Sequence, residues 1–150
     1  MHWQLVTIGK PKLDYAARGI EDYLKRLRPM IRCEWAVLRA GDAGKETTRF
    51  LAASEGAFRV ALDEQGEMRT SRQFAAQLQR WELEGHKSLA FMIGGADGLP
   101  EAVRQAADWK WSLGPQTLQH ELATVVVLEQ LYRACQINRG SPYHRDGRSE

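Results

Sequence analysis

The chain has 150 residues, room for one domain with a real core and none for a second. With 43% hydrophobic and 27% charged residues it is far from the apolar-poor composition of a disordered chain. Its longest apolar runs, such as residues 123–128, fall well short of the roughly 20 residues a membrane span needs. A formal net charge of +2 decides little by itself. Basic side chains nevertheless outnumber acidic ones in residues 1–60 and in the last twenty, where they could meet phosphate, whereas residues 61–130 are net acidic.

The first residues read directly as a strand, with no basic segment followed by an apolar stretch and a cleavage site, so a cytoplasmic protein is expected. Cys33 and Cys135 lack the close Cys or His spacing of a zinc site and read as reduced packing residues, with no metal expected.

Residues 3–8 form the first strand candidate. Residues 14–28 follow as a helix, with Tyr15, Ile20, Tyr23, Leu24 and Leu27 at helical spacing and Pro29 as the stop. Residues 31–38 read as a second strand, and a loop over 40–45 leads into a helix ending near Gly56. Residues 58–62 are a short apolar strand, Asp63-Glu64-Gln65-Gly66 a turn, and Ser71 the cap of a helix that carries Phe74, Leu78 and Trp81 and closes at Gly85. The unbroken apolar run 88–93 marks a strand covered on both faces, and it leads straight into Gly94-Gly95-Ala96-Asp97-Gly98. Pro100 fits the first turn of a short helix to about Ala107, residues 109–113 a last strand, and residues 119–137 the final helix. This alternation predicts one α/β domain over residues 1–150, with a mainly parallel sheet and helices on both faces.

Three places could carry chemistry. Glycine directly after a buried parallel strand lets backbone approach a ligand where a Cβ would collide, and the same glycines would equally serve a tight turn that needs positive φ. The loop lacks the GxGxxG order and the later acidic residue of a dinucleotide site. Residues 113–118 are aperiodic backbone between a strand and a long helix, suited to bonding an adenine edge. His120 opens that helix, where the helix field disfavours an imidazolium, so it could accept a proton, or simply cap or pack. Along the helix Leu122, Val125, Val126, Leu128, Leu131 and Ile137 make a wide apolar surface for core or dimer packing, and Glu129 can pair with Arg133 four residues on. The tail Arg139-Gly140-Ser141-Pro142-Tyr143-His144-Arg145 offers a ring, an imidazole and guanidiniums that could stack on a base and grip phosphate, or fray as chain ends do.

Three segments, LDEQGEMRTSRQFA from Leu62, FMIGGADG from Phe91 and WSLGPQTLQHELATVVVLEQLYRACQINRGSPYHR from Trp111, resemble the ribosomal RNA large subunit methyltransferase H family of the SPOUT class. The likeness extends over nearly the whole chain, and its PYHR ending is the most specific part. It implies a C-terminal trefoil knot, which general folding rules would have argued against. It also implies a homodimer, S-adenosylmethionine as methyl donor, and as substrate N3 of a pseudouridine in 23S rRNA of the assembled ribosome. Donor binding carries over to Leu62, Gly94, Leu113, Gly114, Pro115, Gln116, Thr117 and Leu118. Arg133, Tyr143, His144 and Arg145 are expected to hold and polarise the base, with His144 or His120 taking the imide proton. The chain departs from the family's usual residues at Gly114, Pro115, Gln116, Gln119 and Thr124. The rival expectation is a non-catalytic ribosome or RNA-binding module on the same fold.

Overall fold

Alternate residues of the first strand, β1 (His2–Ile8), face opposite ways, and both directions are apolar: Trp3 and Leu5 enter one core, Val6 the other. The same division recurs at Leu89 and Phe91 against Ala90 and Met92, which is why the sheet has to be covered on both faces. The computed structural model describes residues 1–146. Its other strands are β2 (Arg32–Leu38), β3 (Phe58–Met68), β4 (Ser88–Met92) and β5 (Trp109–Ser112), in the order β2-β1-β4-β3-β5, and every strand pair is parallel.

Helices α1 (Asp14–Leu27), α3 (Ser71–Leu83) and α5 (His120–Asn138) bury Ile20, Leu24, Phe74, Leu78, Leu128 and Leu131 on the Trp3 face. Helices α2 (Ala43–Ala53) and α4 (Glu101–Ala106) bury Phe50 and Val103 on the other. Tyr15, assigned by spacing to the apolar stripe of α1, is instead 54% exposed.

Three local expectations are corrected. Residues 63–66 do not end the third strand: Trp111 stands opposite both Leu62 and Glu67, so these residues bulge out of a strand that resumes to Met68. Gly66 makes the bulge possible, because a Cβ there would lie 2.6 Å from the Lys110 carbonyl carbon. The cap of α3 is Thr70, not Ser71. The Thr70 hydroxyl accepts from Gln73 N–H and the Gln73 side chain accepts from Thr70 N–H, a reciprocal box. Ser71, one residue inside the helix, donates to Gln130 of α5. Pro100 likewise sits at the N-cap of α4, just outside its first turn.

The path after β5 positions everything that follows. Strand β5 is an edge of the sheet, yet α5 begins beside the loop after β1, so residues 113–119 cross the carboxyl ends of β3 and β4. The far end is clasped by Glu121, 7% exposed, whose Oε1 accepts from the N–H groups of Lys12 and Leu13 at 2.9 Å each. Burial pushes this carboxyl's pKa up, but the two N–H donors outweigh it and hold the pKa below the ordinary value. Its stabilising contribution is therefore present above the unfolded carboxylate pKa and lost as pH falls through the lower folded one. Glu121→Ala strands two N–H groups and is expected to cost about 2–3 kcal/mol near neutral pH. Thermal melting of both proteins across pH checks this, with the difference between them shrinking on acidification.

Candidate functional site

The ends of β3 and β4 and the crossing segment enclose a cleft of about 600 Å³, within the range of small-ligand sites. Leu62, Ile93, Leu99, Trp111, Leu113 and Leu118 wall it with apolar groups. Gly94, Gly95, Gly98 and Gly114 have only backbone to offer its surface, and Gln116 and Thr117 join the lining. The two readings of the glycine loop divide between residues. Gly98 takes the turn role, at φ 79° with its N–H donating to Gly95 O at 3.0 Å. Gly94 has no positive φ and is required by close approach: a Cβ there would stand 2.2 Å from the Gly98 carbonyl carbon and 2.3 Å from Leu99 N. Gly114 has φ 144° and is bracketed by Ser112 Oγ, which donates to its carbonyl and accepts from its N–H, both at 3.1 Å.

Of the residues expected to bind the donor, Leu62, Gly94, Leu113, Gly114, Gln116, Thr117 and Leu118 line this cleft, and Pro115 does not. His120 lines it too, with Nδ1 3.3 Å from Gln119 Nε2. Gln119 also caps α5, its side-chain oxygen accepting from the N–H groups of Glu121 and Leu122. Thr124 is buried, with its hydroxyl on the His120 carbonyl at 2.9 Å. Asp63 and Glu64 in the β3 bulge and Asp97 in the glycine loop after β4 also line the cleft and were not singled out from sequence. Carboxylates at a cleft with apolar walls and exposed backbone suit a ligand that joins an aromatic base to a cationic tail, as S-adenosylmethionine does.

A second cluster lies further along α5. Glu129 grips Arg133 through two hydrogen bonds of 3.0 Å and accepts from the Tyr143 hydroxyl at 2.8 Å. The Arg133 guanidinium stands 4.9 Å from the Tyr143 ring centre, and its Nη1 is 3.0 Å from His144 Nδ1. Burial, then hydrogen bonding to Glu129, drives the Tyr143 pKa far above the ordinary tyrosine value, so its hydroxyl acts as a donor and not as a base. Arg145 is exposed and makes no hydrogen bond or ion pair among the described residues. The cleft reaches α5 as far as Ala123 and the cluster begins at Glu129, about 9 Å further along the helix, and Arg133, Tyr143 and His144 do not line the cleft of their own chain.

Burial pushes the Cys33 and Cys135 thiols up to about 11, the behaviour of packing residues and not of nucleophiles. No helix is long and apolar enough to cross a membrane, and no group of three metal-ligating side chains occurs among the described residues.

The fold recurs in solved structures. A methylase family protein of Neisseria gonorrhoeae superposes with TM-score 0.58 at 10% identity over 99% of this chain and 88% of that one. A methyltransferase of Bordetella pertussis does so with TM-score 0.57 at 12% identity over 89% and 96%. In sequence, the family described as "Predicted SPOUT methyltransferase" matches residues 1–144, which defines the class. Within it, the chain belongs to the ribosomal RNA large subunit methyltransferase H family. A relative of that name from Thermus thermophilus is 42% identical over 97% of this chain and 99% of its own length, and one from Deinococcus radiodurans is 40% identical with the same coverage. By family, the protein is therefore a methyltransferase of the SPOUT class.

Proposed function

We propose that this protein methylates N3 of a pseudouridine in 23S rRNA of the assembled ribosome, in the cytoplasm and as a homodimer. The observation that carries the reading is the cleft at the start of α5 together with a separate cluster of Arg133, Tyr143 and His144 further along the same helix, none of which lines that cleft. A base held at that cluster would stand away from a donor in the cleft of the same chain, whereas the reacting atoms must approach to about 3 Å. A second copy placing its tail over the cleft resolves this. Leu122, Val125 and Val126, only half-buried on α5, are apolar surface such a copy would cover. The crossing of residues 113–119 over β3 and β4 is the segment that would thread the trefoil knot the resemblance implies.

When bound, S-adenosylmethionine supplies an electrophilic methyl group. Leu62, Gly94 and residues 113–118 would hold it, with backbone groups on the adenine edge and Asp63, Glu64 or Asp97 toward its cationic part. An imide N–H must lose its proton before or during attack. Arg133 and Arg145 would stabilise the resulting anion, Tyr143 would stack on the base, and of the two imidazoles His120 on the cleft lining is the one available to the proton, since both ring nitrogens of His144 are engaged, by Arg133 and Asp146. Lys10 and Lys12 after β1, Arg39 after β2 and Lys45 in the first turn of α2 are exposed, across the sheet from Asp63 and Glu64 in the β3 bulge. RNA would accordingly approach from the β1–β2 side.

Incubation with labelled S-adenosylmethionine and, separately, assembled ribosomes, protein-free 23S rRNA and transfer RNA tests the reading. Label is expected in the 23S rRNA of ribosomes, as N3-methylpseudouridine after digestion. Label in transfer RNA alone, or on another atom, would contradict it.

A further inference from the structure

We propose that Arg72 and Asp146, outside the groups expected to touch substrate, are positioning residues that hold the tail's His144 in one tautomer and orientation for methyl transfer. Arg72 is the second residue of α3, and its guanidinium grips Asp146 in the forked arrangement, Nε to Oδ1 at 2.6 Å and Nη2 to Oδ2 at 2.9 Å. Asp146 Oδ1 lies 2.9 Å from His144 Nε2, and Arg133 Nη1 lies 3.0 Å from His144 Nδ1. A guanidinium has no acceptor, so Nδ1 must carry the lone pair, and Nε2 then carries the hydrogen that it donates to the carboxylate. The imidazole is thereby pinned between a cation and an anion anchored on two different helices, α5 and α3.

The ends of this chain of contacts differ in exposure. Arg72 and Asp146 side chains are 57% and 52% exposed, whereas that of His144 is 11% exposed. An exposed ion pair contributes little to stability, so what the Arg72 fork supplies is direction. Hydrogen bonding to Arg72, stronger than the opposing desolvation, holds the Asp146 carboxyl at about 2, so it stays an acceptor across the neutral range. The grip joins positions 74 residues apart and ties the last described residue of the tail to the helix that Thr70 caps.

The inference rests on the proposed transfer to rRNA for its effect on rate, but not for its effect on the imidazole. Arg72→Ala and Asp146→Asn are expected to lower kcat on ribosomes on the order of tenfold or more while leaving donor affinity and the thermal midpoint unchanged. Arg72→Lys, which keeps charge but loses the fork, should recover only part, and the exchange Arg72→Asp with Asp146→Arg, which restores the ion pair but puts a guanidinium where Nε2–H needs an acceptor, should recover nothing. Nitrogen NMR of labelled histidine in the full-length protein is expected to show His144 protonated on Nε2 in the wild type and a mixture of tautomers in Arg72→Ala. Wild-type kcat in both single variants together with an unchanged His144 signal would overturn the inference. If the wild type itself fails to methylate ribosomes, the proposed function falls, and the tautomer measurement alone decides whether the clamp exists.

Discussion

Replacing Gly94 with Ala is expected to weaken S-adenosylmethionine binding on the order of a hundredfold or more, while Gly95→Ala one residue away leaves it nearly unchanged. The difference is a matter of where a methyl group would go. At Gly94 it would fall 2.2 Å from the Gly98 carbonyl carbon, and backbone on the far side of a tight loop cannot swing aside as a side chain can. At Gly95 the nearest atom is Ile8 Cγ2 at 3.5 Å, an ordinary contact. Overpacking costs about 1–3 kcal/mol even where neighbours can repack, and the upper end of that range corresponds to about a hundredfold in affinity. Calorimetric titration of both variants, beside their melting curves, checks the result. Equal donor affinity in the two would mean that the glycine loop is not where the donor lies.

The double replacement Tyr143→Ala with His144→Ala is expected to lower methylation on the order of a thousandfold and to leave donor affinity within about twofold. The reason is their place: these side chains lie on Glu129 and Arg133 and are not among the groups that line the cleft of their own chain. If each tail serves the partner's cleft, mixing a protomer carrying Gly94→Ala with one carrying the tail replacements restores one working site per mixed dimer. Activity returning on mixing supports service in trans; loss of donor binding by the tail variant would place the tail in the donor pocket instead.

Much of the fold was legible in the chain because strands buried on both faces and helices with one apolar stripe leave different spacings. The unbroken run 88–93 and the stripe through Leu128 and Leu131 are direct consequences of what covers them. The glycine loop was legible as a place, but its two roles, approach at Gly94 and turn at Gly98, needed coordinates to separate. Leu62 entered through resemblance alone, since a leucine at a strand end carries no local signal. Residues 63–66 misled because Asp-Glu-Gln-Gly composes a turn and a bulge equally well, and only the partner strand distinguishes them. The clasp of Glu121 on Lys12 and Leu13 and the fork of Arg72 on Asp146 join residues far apart in sequence, so no spacing rule could announce them. Where Gln119 departs from the family's usual residue, its amide takes up the capping of α5.

The most direct test of the account is titration of S-adenosylmethionine into the purified wild-type protein, reading affinity and the number of sites per protomer. Saturable binding at one site per protomer is expected, lost in Gly94→Ala and kept in the Tyr143→Ala, His144→Ala variant. No detectable binding at millimolar donor would contradict it and leave a ribosome-binding protein that keeps the fold without the chemistry.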